Sequence, residues 1–274
     1  MVESISRKVS AMPKRARLLA IVGATFLLIV AMSTVAPIPQ DPRYHLFADR
    51  RSFLGIPNFF NVTSNGFLLL VGLLGVVSLR CQRAGTDYRE KGGKWPYIAF
   101  FLGIGLTAIG SAYYHIAPRD ATLFWDRLGM SMAFMSFTAA IISDRINAKV
   151  GLCLLFPLLI AGAAGAAYWL VSELKGAGDL RFYGAVQLFP ALLIPIIMFL
   201  FPPRYSRGKD LIWVFFAYAL AKGCEFLDAE IYAAGGLVSG HTLKHLCAAV
   251  AGFLVLQMLR RRQPLVFDAS SAGP

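Results

Sequence analysis

The chain has 274 residues, of which 57% are hydrophobic and 15% charged, and its formal net charge is +12 at pH 7. A soluble domain carries about a quarter charged residues, so this composition excludes an ordinary water-soluble fold and points to a polytopic membrane protein. Where the basic residues fall excludes nucleic acid as their partner, as the chain order shows.

Eight apolar runs reach the roughly 20 residues that a bilayer span takes, and in lipid each must satisfy its own backbone as a helix. The first, 17–36, follows a basic stretch of Arg7, Lys8, Lys14, Arg15 and Arg17. It is longer than a signal-peptide core of about 7–15 residues, so a retained helix is expected, with a cleaved signal as the alternative. The connection 37–57 mixes aromatics, charges and prolines. Pro37, Pro39, Pro42 and Pro57 forbid one continuous helix, and a structured cap or surface-lying segment is expected. His45, within it, reads as a surface residue.

The second run, 58–79, opens with "NFFNVTSN", whose Asn61, Ser64 and Asn65 fit either a substrate entrance or hydrogen bonding between helices. After the connection 80–94, the third run, 95–115, ends in "GSAYYH", with Ser111 and His115 on one helical face. The short turn "IAPRD" leads to the fourth run, 122–143, and Asp126 lies near its start. In the fifth, 149–171, "AGAAGAA" allows close helix approach. The sixth is 182–201. The seventh, 210–233, holds "KGCEFLDAE", in which Lys222, Glu225 and Asp228 read as an ion-pair ladder that Lys244 can join. The alternative is that Glu225 or Asp228 accepts a hydrogen bond from a metal-bound imidazole. The eighth, 241–259, opens with "SGHTLKH", so His241 and His245 share a face.

Short turns make neighbouring helices antiparallel. With the N-terminus inside, 18 Lys and Arg residues fall on inner segments, ending in Arg260, Arg261 and Arg262, against 6 on outer ones. The excess is therefore a positive-inside signal and an attraction to anionic lipid. Both termini are expected in the cytoplasm. Trp95, Tyr113, Tyr114, Trp125 and Trp169 read as interface anchors. Cys81, Cys153, Cys224 and Cys247 lack any metal-binding spacing and read as buried free thiols.

This topology brings Ser111, His115, Asp126, His241 and His245 to one depth in the outer leaflet. Ionisable groups inside a membrane are costly and mostly functional. Two histidines four apart on one helix and a third from another can share an ion. Catalytic zinc typically has three protein ligands and an open position for water, whose pKa it lowers to about 7. Asp126 is placed to move a proton and Ser111 to hydrogen-bond a developing oxyanion.

The segments "GSAYYH", "LFWDRLGM" and "SGHTLKH", with "NFFNVTSN", resemble the alkaline ceramidase family, part of a superfamily that includes the progestin and adipoQ receptors. The resemblance covers roughly 58–259. It implies an all-α polytopic transmembrane helical bundle, a seven-helix hydrolase core with one extra N-terminal helix. Its parts are 1–57 (basic N-terminus, extra helix and outer loop), 58–259 (core) and 260–274 (basic tail). It further implies Zn2+ held by His115, His241 and His245, completed by Ser111 and Asp126. The implied reaction is hydrolysis of a ceramide-like membrane lipid to a fatty acid and a long-chain base. The family's calcium site is not carried over, because Asp41 and Asp49 stand with basic Arg50 and Arg51, and Asn58 occupies an acid's position. The competing expectations are a zinc-containing receptor without turnover, a hydrolase of another amide or ester lipid, a haem carrier and a transporter. Nothing in the sequence bears on oligomeric state.

Overall fold

The structure is a computed structural model, which describes residues 12–81 and 92–265. Arg7, Lys8, Arg83, Arg89 and Lys91, counted above among the inner charges, lie outside the described residues, as does much of the basic tail. Among the described residues the chain is helical, with no strand beyond two isolated bridges.

The helices are α1 (Lys14–Thr34), α2 (Phe59–Thr63), α3 (Asn65–Cys81), α4 (Trp95–Ile116), α5 (Asp120–Arg145), α6 (Ala148–Leu174), α7 (Arg181–Leu200), α8 (Asp210–Phe226), α9 (Asp228–Gly235) and α10 (Gly240–Arg261). Every predicted run is helical here, two of them with a break. Six helical stretches are long and apolar enough to cross a membrane: α1, α2 continuing into α3, α4, α6, α7 and α10. The two remaining runs fall short for visible reasons. The 26-residue α5 carries Asp120, Asp126, Arg127, Asp144 and Arg145, and α8 stops at Phe226 after 17 residues.

Helices α8, α10, α3, α4, α5 and α7 follow one another as packed neighbours, while α7 and α8 do not pack along each other, so a seam remains between them. Helix α6 lies outside against α5 and α7. Helix α1 buries no residue fully and rests on α7. Both of its ends are tied there: Arg17 donates to the Leu200 carbonyl (3.2 Å), and Arg181 donates to that of Val35 (2.6 Å). The apolar core fills the half of the bundle remote from the histidines, around Phe101, Ile141, Ile197 and Leu256. Tyr114 and Trp169 are fully buried in a second cluster with Phe47 and Leu123, which corrects their reading as interface anchors. Trp95, Tyr113 and Trp125 are exposed on the bundle's outer surface. Cys81 and Cys153 are exposed too, so only Cys224 matches the expectation of a buried thiol fully.

Close contact between α4 and α5 fixes the position of the candidate residues. A Cβ on Gly110 would lie 2.3 Å from the Trp125 carbonyl oxygen, and Gly103 and Gly129 make similar approaches to backbone. The backbone cannot yield as a side-chain tip does, so Gly110→Ala is expected to push the helices apart. Overpacking costs typically about 1–3 kcal/mol, more than the roughly 1 kcal/mol that alanine gains over glycine in a helix. Thermal unfolding in detergent should show Gly110→Ala destabilised. Gly105→Ala, with nothing within 4 Å of the new carbon, should be neutral or stabilised.

The connection 35–57 has no helix longer than a 3-10 turn at Pro42–His45, as its prolines require, and a tight turn follows at Phe53–Ile56. It folds back over the bundle as a cap, burying Phe47 and Asp49.

Candidate metal centre

The three predicted histidines come together. One ligand atom from each of His115, His241 and His245 can be chosen so that all lie within 4.8 Å of one another, and all three side chains are buried. Their ring centroids are 4.8, 5.0 and 5.1 Å apart.

Local sequence sets each one. Helix α4 ends just past His115 because Pro118 disfavours helical backbone at Ala117. The His115 carbonyl accepts from Asn58 Nδ2 (2.8 Å), which ties the end of α4 to the start of α2. Helix α10 starts sharply beside the histidines. Ser239 Oγ accepts from the Thr242 N–H (3.2 Å), and Asp228 Oδ1 accepts from the His241 N–H (2.7 Å). Two otherwise unpartnered amides of the first turn are thereby satisfied. Gly240 permits the approach, since a Cβ there would stand 2.2 Å from the Cys224 carbonyl oxygen.

The imidazole environments suit a metal. His115 is completely buried, and neither ring nitrogen has a hydrogen-bond partner. Such orphaned groups are expensive unless something binds them. His245 Nδ1 lies 2.8 Å from Ser64 Oγ, which is 3.2 Å from the Asn61 carbonyl. With the Ser64 proton directed to that carbonyl, Nδ1–H of His245 donates to Ser64 and Nε2 keeps its lone pair. Nε2 faces Ser111 Oγ at 3.5 Å. A metal-ligating histidine commonly has its other nitrogen fixed in this way, and losing the partner costs about 10–100-fold in metal affinity. Ser64→Ala is therefore expected to lower the affinity for a metal ion by about that factor in a chelator competition assay. Ser64 thus belongs to the histidine site rather than to an entrance.

Glu225 takes two ammonium groups, Lys222 and Lys244, each at 2.6 Å, so the Lys222–Glu225 part of the expected ladder forms with Lys244 joined to it, while Asp228 stands outside it. The Lys244 ammonium also approaches His241 Nε2 at 3.5 Å, where Glu225 offsets its charge. Neither Glu225 nor Asp228 meets an imidazole. Asp228 instead clamps two backbones, since its Oδ2 accepts from the Ala48 N–H (3.0 Å) while Oδ1 holds His241. That clamp seats Phe47 edge-on to His115 and His241, with ring centroids 4.6 and 4.9 Å away. Phe47 had no signal in the sequence beyond lying in an aromatic-rich connection.

His45 is no part of the cluster. It is half-buried, with Nδ1 2.9 Å from the Tyr114 hydroxyl and Nε2 3.1 Å from Asp120. Asp49 accepts from the Arg51 guanidinium at 2.7 and 2.9 Å. Burial pushes the Asp49 carboxyl up, yet the hydrogen bonds and charge of Arg51 outweigh this and hold its pKa below the ordinary value.

Ser111, Asp126 and His245 line one cavity of about 370 Å³ inside the bundle. Its other walls include Phe100, Ile104, Phe137, Ile194 and Val214, so one region is polar and the remainder apolar. The Gly110 contact brings α4 against the backbone of Trp125 and Asp126, which sets Ser111 and Asp126 on adjoining walls. No protein-family model and no curated protein matches the sequence.

Proposed function

We propose that this protein is a zinc-dependent intramembrane hydrolase that cleaves the amide bond of a ceramide-like N-acyl lipid. The observation that carries the reading is a buried three-histidine cluster, one of whose imidazoles has both nitrogens unpartnered, adjoining a mostly apolar cavity that also holds a hydroxyl and a carboxylate. The resemblance of "GSAYYH", "LFWDRLGM" and "SGHTLKH" to the alkaline ceramidases supports the same choice.

His115, His241 and His245 would hold the ion. Zinc bound by three protein ligands supplies Lewis acidity and an acidified water at neutral pH. The apolar walls take the acyl chain, and the seam between α7 and α8 offers a lateral way in from lipid. Ser111 donates a hydrogen bond to the oxygen that becomes negative as the carbonyl carbon turns tetrahedral. Asp126 accepts a proton as water forms the new C–O bond, then returns it to the nitrogen as the C–N bond breaks. Fatty acid and amine are the products.

In this reading α5 and the α8–α9 pair also cross the bilayer, giving eight spans, with seven helical crossings as the core and α1 added. Both termini face the cytoplasm and the histidines lie toward the outer leaflet. The intramembrane polar groups of α5 are tolerated because they face the bundle interior.

The test is metal analysis of purified protein with a hydrolysis panel of ceramides, other N-acyl lipids and ester lipids. About one zinc per chain and release of fatty acid from an amide lipid is the expected result. Zinc-replete protein that is inert on every lipid would overturn the hydrolase reading.

A further inference from the structure

Beside the proposed centre stands a buried cation without a counter-ion in contact. Arg127, next to Asp126 on α5, is 4% exposed. Its Nη2 donates to Gln40 Oε1 (2.5 Å), and its Nη1 is buried with no partner. Among the described residues it makes no ion pair. Three aromatic rings surround the guanidinium, with centroids 3.8 Å (Trp169), 4.7 Å (Tyr183) and 5.6 Å (Tyr44) from its carbon. Such rings offset part of the desolvation of a cation, but they do not hydrogen-bond its free N–H groups.

Arg127, Tyr44 and Tyr183 line the same cavity as Ser111, Asp126 and His245. Arg127, Lys222 and Lys244 face only two carboxylates there, Asp126 and Glu225, and Glu225 is already shared by both lysines. Lys222 is half exposed, so what stands out is Arg127 itself, a buried guanidinium with a free Nη1 and no carboxylate in contact. The cavity's apolar walls suit the acyl chain, so the rest of an N-acyl lipid belongs at the polar end, where Arg127 is.

We propose that Arg127 binds an anionic oxygen group, a carboxylate or a phosphate, on the amine side of the substrate. The preferred lipid is then an N-acyl amino acid or a phosphorylated N-acyl long-chain base rather than a neutral one. The proposal rests on the hydrolase reading for its substrate, while the anion site itself can be measured without turnover. Guanidinium is suited to either group, because its fork of N–H donors matches carboxylate and phosphate oxygens.

The experiment compares three lipids on the zinc-loaded full-length protein in detergent: N-palmitoyl glycine, ceramide 1-phosphate and neutral N-palmitoyl ethanolamine. Binding is followed by intrinsic tryptophan fluorescence and hydrolysis by fatty-acid release. At least one anionic lipid is expected to bind about tenfold or more tighter than the neutral one, the worth of one charge-assisted hydrogen bond. Whether the carboxylate or the phosphate lipid carries the preference identifies the group. Arg127→Met keeps much of the side chain's length without its charge. It should lose the preference, the ratio of anionic to neutral lipid affinity falling to about one whatever the absolute affinities, and Arg127→Lys should recover part of that ratio. Equal binding of all three lipids by wild type overturns the proposal without recourse to a variant. So does a preference that survives in Arg127→Met, which would leave Arg127 as an aromatic staple only. Selective binding with no cleavage would sink the hydrolase reading and keep the anion site. Cleavage of all three without selectivity would do the reverse.

Discussion

His241→Ala is expected to abolish both metal binding and hydrolysis. The substitution leaves two imidazoles where three converge within 4.8 Å. Removing a mere hydrogen-bond partner of a ligand costs about 10–100-fold in metal affinity, so removing the ligand should cost more than about 100-fold. Purified protein should then retain little zinc by elemental analysis. The fold should survive, because Asp228 holds the main-chain N–H at this position (2.7 Å) and alanine keeps that group. Unchanged helicity by circular dichroism together with lost zinc is the expected pair of results. Full zinc content in the variant would remove His241 from the coordination sphere.

Asp126→Asn separates chemistry from metal holding. Asp126 is buried on the cavity wall and is not one of the three converging histidine ligands. Asparagine has nearly the same shape but accepts no proton, so the loss falls on proton transfer. General acid–base catalysis contributes typically 10²–10⁴-fold, and kcat should fall by about that much with zinc content close to wild type. Loss of zinc in parallel with activity would make Asp126 part of the metal site instead.

Much of this arrangement is legible in the sequence because lipid narrows the choices. Apolar runs of spanning length must be helices, and short turns between them fix antiparallel order. The helix bounds of α4 and α10 therefore fall within a residue or two of the runs 95–115 and 241–259. His115, His241 and His245 follow from helical periodicity at matching ends of two such rods. Contacts that depend on tertiary placement do not show in periodicity. Ser64 interrupts the predicted 58–79 helix and meets His245, and Leu227 interrupts 210–233 just before Asp228, whose backbone Gly240 approaches. The first break lies in a run without proline or charge, and the second falls within "KGCEFLDAE", where helical charge spacing predicts a continuous ladder rather than a break. The cap is the other blind spot. Its prolines exclude a helix but do not say that Asp228 will hold Ala48 and drop Phe47 onto two imidazoles. Tyr114 and Trp169 suit interface positions by residue type, yet the α4–α5–α6 packing and the folded-back cap bury both.

Zinc-edge X-ray absorption on the purified wild-type protein tests the central claim most directly. The account predicts one zinc per chain whose nearest shell is imidazole nitrogen from three histidines, with an oxygen completing the four-coordinate sphere. A protein that purifies without bound metal under zinc-replete conditions would contradict it. So would a sulfur-dominated shell, which would move the metal away from His115, His241 and His245 to the cysteines.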